Sequence, residues 1–170
     1  LVRHVPQYPS WLYSIDRTVP RAYVVPNAIV EPNRFQVLGR LSTKNLDPNA
    51  VVFVEEKVDL PPSPNLKARV EIARYEHAIV KILASLSGPG LLVLADAFYP
   101  GWHAYVDGKE ERILRANFFF RAVALSAGDH VVEFRYKPVS FQIGLVISLV
   151  TVFGLIAASL LLMLRRKRRG

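Results

Sequence analysis

The chain has 170 residues, no cysteine and a formal net charge of +8. The missing cysteines exclude disulfides and thiol chemistry. Five of the positive charges sit in the terminal cluster Arg165-Arg166-Lys167-Arg168-Arg169, leaving about +3 on residues 1–164. A basic cluster that abuts an apolar run is a membrane signature rather than a nucleic-acid tail, so no nucleic acid is expected as a partner.

From its start the chain reads as a piece of something longer. Leu1 is not preceded by Met, and no basic n-region or apolar h-region follows it. Two explanations stand: a fragment of a polytopic protein, which the absent Met favours, or a single span inserted tail-first. Nine of the twelve prolines lie before Leu66. Residues 1–66 are therefore expected to be mostly extended or irregular, packing on a later sandwich. Within them Ala22–Val25 and Val51–Val54 read as short strands, and Arg34–Leu41, placed behind Pro32, as a short helix. Asp59–Asn65, with three prolines, is a turn-rich linker.

At Lys67 the texture changes to closely spaced strands. Val70–Tyr75 and Ala78–Ala84 are apolar and β-branched, and Leu91–Ala95 is a continuous apolar run suited to a sandwich interior. Trp102–Asp107 alternates, with Trp102, Ala104 and Val106 on one face and His103, Tyr105 and Asp107 on the other. Asp107-Gly108 predicts a type I′ hairpin. Phe118–Leu125 and His130–Lys137 follow; in the latter Val132, Phe134 and Tyr136 point inward while Glu133, Arg135 and Lys137 face water. Short strands broken by regular turns predict a mainly β protein, an antiparallel β-sandwich of jelly-roll or immunoglobulin-like type over residues 67–138.

Pro138 ends the last strand and hands the chain to an uncharged apolar run, Val139–Leu164. A helix of this length exceeds the ~20 residues needed to cross a bilayer core, and it is apolar on every side. Residues 139–164 are read as a transmembrane helix and 165–170 as a basic cytoplasmic tail. Arg165, Arg166, Lys167, Arg168 and Arg169 fix the topology by the positive-inside rule. The lipid bilayer is thus a partner, residues 1–138 are expected outside the membrane with the C-terminus in the cytoplasm, and the sandwich should have little freedom to swing.

No reaction is legible. His4, His77, His103 and His130 lie far apart, so no metal site is expected. No serine has a nucleophile-elbow context, and Gly88-Pro89-Gly90 lacks the spacing of a phosphate loop. Glu55-Glu56 and Glu110-Glu111 are adjacent pairs whose side chains diverge in a strand, unlike glycosidase carboxylates that face each other across a cleft. No catalytic residue and no cofactor is assigned. The densest patch runs from Tyr99 to Gly108 and on through Arg115–Arg121. Its candidate contacts for a glycan or a partner are Tyr99, Trp102, His103, Tyr105, Asp107, Asn117 and Arg121, since exposed aromatics beside Asp, Asn and Arg hold sugars. The structural alternative makes Trp102 a core anchor and Arg121 a partner of Asp107 or of a turn carbonyl.

The same residues carry a resemblance. Tyr99-Pro100-Gly101-Trp102 through Asp107-Gly108, Arg115-Ala116-Asn117, Phe120-Arg121-Ala122-Val123, Gly128, His130–Phe134 and Tyr136 resemble the C-terminal end of the bacterial YfhO membrane-protein family. Pro20–Tyr23 and Leu46-Asp47-Pro48 fit it as well, so the resemblance extends over nearly the whole chain. It implies the tail of a polytopic protein similar to GT-C-type glycosyltransferases, which move a sugar from a lipid-phosphate carrier outside the membrane. The family's catalytic acid would lie in a loop upstream of Leu1, so the chain itself would be non-catalytic. Its further partners would be the upstream transmembrane helices and a cell-envelope glycan or lipid-linked sugar. A glycan-binding or assembly module of a non-enzymatic membrane protein is the alternative.

Overall fold

A computed structural model describes residues 2–5, 10–13, 18–43 and 46–168, without the side chains of 2–5, 10–13, 162 and 165–167. The chain is mainly β, with two sheets packed as a sandwich and one long C-terminal helix. In chain order the elements are β1 (Val2–Val5), β2 (Ser10–Tyr13), β3 (Ala22–Val25), β4 (Asn27–Val30), α1 (Arg34–Leu41), β5 (Val51–Val54) and β6 (Ala68–Tyr75). They continue with β7 (Ile79–Leu86), β8 (Gly90–Ala97), β9 (Trp102–Val106), β10 (Lys109–Glu111), β11 (Leu114–Ala116), β12 (Phe120–Leu125), β13 (Gly128–Tyr136) and α2 (Val139–Lys167). β1 and β2 pair as a separate antiparallel hairpin.

The five-stranded sheet runs β10-β9-β13-β7-β6 and the six-stranded sheet β3-β8-β12-β11-β5-β4. Three strands of the proline-rich N-terminal third thus belong to the second sheet. Every pairing is antiparallel except β4 with β5. A parallel pair cannot be closed by a tight turn, so the chain crosses over through α1. That helix begins where the sequence predicts it. Asn33 caps it, its side-chain oxygen accepting the Phe35 and Gln36 amides at 3.0 and 3.4 Å.

The core between the sheets holds Ile82, Leu92, Leu94, Val123, Val132 and Phe134, with Trp102 and Val106 packed against it. A second cluster, including Val25, Val52, Leu91, Val93 and Ala122, lies on the other face of the six-stranded sheet beneath Val58 and Leu60. Burial on both faces explains why Gly90–Leu94 carries no polar alternation. The edge strands β4 and β10 and the short β11 do not stand out in the sequence. The strand expected from Phe118 begins instead at Phe120. Asn117 (φ 44°) and Phe118 (φ 78°) form a turn with left-handed backbone, a geometry a sheet ladder does not accept. The Asp107-Gly108 hairpin has the predicted positive φ at both residues, 51° and 83°.

β13 is the middle strand of its sheet, and it leads into α2 with only Lys137 and Pro138 between. The junction is clamped: the Lys137 amide donates to the Gly101 carbonyl at 2.7 Å, and the Tyr136 amide to that of Ala78 at 2.8 Å. Gly101 has φ 102°, and a Cβ there would stand 3.0 Å from Pro138 Cα and 3.1 Å from the Tyr136 ring. Only glycine fits this contact. Gly101→Ala is therefore expected to cost at least the ~1–2 kcal/mol of a left-handed non-glycine residue. Urea unfolding in micelles should show that loss, and limited proteolysis should cut faster at 137–139. Unchanged proteolysis would mean that the clamp does not hold the junction. Val139–Leu161, 23 residues, is long and apolar enough to cross a membrane, and none of it is buried against the sandwich.

Candidate functional site

The antiparallel weave brings one set of connections to the end of the sandwich where α2 leaves. Gathered there are the β6–β7 hairpin, the β8–β9 loop, the β11–β12 turn and the start of β3. Between them lies a cleft of about 580 Å³ lined by Tyr75, Glu76, His77, Asp96, Tyr99, Trp102, Arg121 and Tyr136, with Val80 and Ala97.

The cleft is organised around Asp96 and Arg121. The ladder between β8 and β12 shifts register between Phe120 and Arg121, so that Phe120 pairs with Ala97 but Arg121 with Leu94. This bulge re-aims Asp96 toward the guanidinium. Arg121 Nη2 donates to Asp96 Oδ2 at 3.0 Å. Arg21 Nε donates to Oδ1 at 2.9 Å, and the Tyr75 hydroxyl donates to the same carboxylate at 3.1 and 3.2 Å. The Arg121 side chain is only 2% exposed and reaches across to the opposite sheet. Its guanidinium lies 3.9 Å from the Trp102 ring centroid and 5.2 Å from that of Phe134. Nε and Nη1 of Arg121 are buried without an acceptor. Tyr136 lies against the other side of this group, 5.2 Å from Trp102 and 6.5 Å from Tyr99.

Electrostatics follow the packing. Burial pushes the Arg121 guanidinium below its ordinary value while Asp96 draws it back, and it stays charged. The hydrogen bond to Asp96 raises Arg21. Tyr75 is raised by burial first and by Asp96 second. Asp96 accepts from three side chains, which fixes its orientation within the cleft. The cleft thus combines an aromatic wall with a fixed guanidinium. Among the described residues no group of three or more His, Asp or Glu converges as metal ligands would.

Three of the seven candidate contacts meet here: Tyr99, Trp102 and Arg121. The others do not join them. His103 Nδ1 is 2.7 Å from Glu110 Oε1, on the outer face of the five-stranded sheet. Tyr105, on the same face, lies under Arg135 and Lys137. Asn117 is buried; its Oδ1 accepts the Phe53 amide at 3.0 Å and its amide nitrogen faces the Tyr23 hydroxyl at 3.5 Å. Asp107 sits at the far hairpin and does not pair with Arg121, whose acid is Asp96. Of the basic cluster, Arg168 is exposed beyond α2's last turn, while the side chains of Arg165, Arg166 and Lys167, and all of Arg169, lie outside the described residues. Asp96, Tyr75, Tyr136 and Arg21 also belong to the site, although none of them is among the contacts expected from the sequence. Asp96 offered one signal, a lone acid closing an apolar run.

Asp107 has a different task. Its Oδ1 accepts the Val131 amide at 2.8 Å and its Oδ2 lies 2.7 Å from His130 Nδ1, closing the β9–β10 hairpin onto β13. These bonds, the Val131 amide first, hold its carboxyl below the ordinary 3.8. A lowered folded-state value means that the stabilisation is fully present above 3.8 and disappears as the pH falls through the lowered value. Asp107→Asn should therefore destabilise the chain at neutral pH and lose that effect at the acid end of the same urea titration. An equal penalty at both ends would show that its charge is irrelevant.

Residues 67–148 match the family model described as bacterial membrane protein YfhO. Over these residues the chain is similar to the YfhO family. The YfhO match spans β6 to β13 and the first turns of α2, hence every residue lining the cleft. Pro20–Tyr23 and Leu46-Asp47-Pro48 fall outside it, so the match is narrower than the near full-length resemblance drawn from the sequence. Arg21 reaches the YfhO-matched cleft from outside. No curated protein and no solved structure matches the chain.

Proposed function

We propose that residues 1–138 form the extracytoplasmic C-terminal domain of a polytopic bacterial envelope protein resembling a lipid-linked-sugar glycosyltransferase. In this reading α2 is its last span, the C-terminus is cytoplasmic, and the domain is non-catalytic, presenting the aromatic cleft to a sugar near the membrane. One observation carries it: the cleft places Tyr99, Trp102 and Tyr136 beside a buried, partly unpartnered Arg121, and it does so at the end of the sandwich clamped to α2. Ring faces stack on a pyranose and a guanidinium bonds its hydroxyls.

The test uses the full chain in nanodiscs, titrated with a polyprenyl-phosphate-linked monosaccharide. Tyr99 is 62% exposed, so Tyr99→Ala should leave stability within about 0.5 kcal/mol. It should weaken binding about tenfold, the worth of one stacked ring. Unaltered affinity would remove the cleft from sugar binding. The alternative is a glycan-binding or assembly module with no enzymatic parent. The reading frame upstream of Leu1 separates the two: the glycosyltransferase reading requires several apolar spans there.

A further inference from the structure

Outside α2, the exposed aromatic side chains among the described residues are Phe35, Tyr75, Tyr99 and Phe119. All four lie at the same end. Tyr75 closes β6 at the hairpin whose Ala78 carbonyl binds Tyr136. Tyr99 lies two residues before the glycine packed on Pro138. The Phe119 carbonyl accepts the Phe98 amide, which ties its turn to the Tyr99 loop. Phe35, 81% exposed, sits in the first turn of α1, where Arg34 pairs with Glu55 just past the end of β5. At the opposite end, the turns Ser87–Pro89, Asp107-Gly108 and Ser126-Ala127 contain no aromatic residue.

We infer that this end of the sandwich is itself a bilayer-facing surface, whose aromatic rim seats in the headgroup layer of the membrane that α2 crosses. The occupant follows from continuity with α2. A helix without charge from Val139 to Leu164, predominantly apolar and reached through a two-residue clamp, leaves the surrounding loops within a few residues of the hydrocarbon boundary. Aromatic side chains concentrate at that depth because an apolar ring with polar edges or neighbours suits it. The turn presenting Phe119 supports this, since it holds Phe118 at φ 78° where an Asn-Gly pair would be unstrained. Charge complementarity is not the driving force. The acids at this end are matched by arginines, Asp96 by Arg21, Glu55 by Arg34, Glu31 by Arg40 and Glu76 by Arg74. The inference is independent of the sugar reading and of which side of the membrane the sandwich occupies.

The absence of native cysteine makes the test direct. Single spin labels are placed at Tyr99→Cys, Phe119→Cys and, at the far end, Ala127→Cys. The full chain is reconstituted in liposomes of phosphatidylethanolamine and phosphatidylglycerol, and circular dichroism confirms the fold of each variant. Accessibility to oxygen, which partitions into lipid, is compared with accessibility to an aqueous nickel chelate. A ratio several-fold higher at 99 and 119 than at 127, retained in phosphatidylcholine alone, is the expected result. Labels at 99 and 119 as open to nickel as that at 127 would overturn the inference. So would shielding from both reagents, which would mean that protein covers this end, or a signal lost without the anionic lipid.

Discussion

Arg121→Ala is expected to lower the unfolding free energy of the sandwich by about 3–5 kcal/mol, the usual loss when one partner of a buried ion pair is removed. Against a total of about 5–15 kcal/mol for a domain, that is a large share. Three losses coincide. Asp96 keeps Arg21 and Tyr75 but loses the one donor that is itself buried. The stack of the guanidinium between Trp102 and Phe134 disappears. A void opens between the sheets at the mouth of the cleft. Arg121→Met should cost less than Arg121→Ala, because it restores volume and removes two orphaned donors. A double-mutant cycle with Asp96→Asn, followed by urea unfolding in micelles, should return a coupling well above the ~0.5 kcal/mol of independent sites. A loss below about 1 kcal/mol for Arg121→Ala would mean that water replaces the guanidinium, as at an ordinary surface pair.

Trp102→Ala is the second large effect, expected at about 3 kcal/mol. A fully buried Trp→Ala change costs about 3–5 kcal/mol, and Trp102 is only half-buried, which lowers the packing part. The lost cation–π contact with Arg121 adds up to about 2 kcal/mol in a desolvated setting. The contact with Tyr136 goes as well, and Tyr136 is the residue that flanks the Gly101 clamp. Trp102 both packs on the inter-sheet core and lines the cleft, so Ala alone does not separate its two roles. Trp102→Phe does, since a smaller ring keeps most of the packing while offering less face to a sugar. Retained stability with weakened sugar binding in that variant assigns Trp102 to the platform. Retained stability with full binding leaves it an anchor of the core.

Local signals were strong wherever one physical constraint acts on neighbouring residues. The α1 helix follows from Pro32 and the Asn33 cap. The hairpin follows from Asp107-Gly108, where the backbone must turn left-handed. The inward face of β13 follows from period-two alternation, with Val132 and Phe134 fully buried. Failures occurred where a partner remote in sequence decides. The Asn117-Phe118 turn hides inside an aromatic run whose composition argues for a strand. β4 is identifiable only through its parallel register with β5. Arg121 pairs with Asp96 rather than with Asp107 or a turn carbonyl, and no local pattern reveals that a bulge 25 residues upstream turns Asp96 toward it.

What the sequence determined by itself is a helix long and apolar enough to cross a membrane, the strand-rich region before it and the YfhO likeness of residues 67–148. The first two depend on composition and periodicity and the last on a run of short motifs, and all of these are carried by neighbouring residues. What only the tertiary structure decided is which side chains share a site. Tyr75, Asp96, Trp102, Arg121 and Tyr136 come from five different strands or their ends and meet because antiparallel pairing returns every second connection to the same end. That end is the one joined to α2, so the cleft and the aromatic rim share the end from which α2 leaves as a consequence of topology, which no single stretch of sequence encodes.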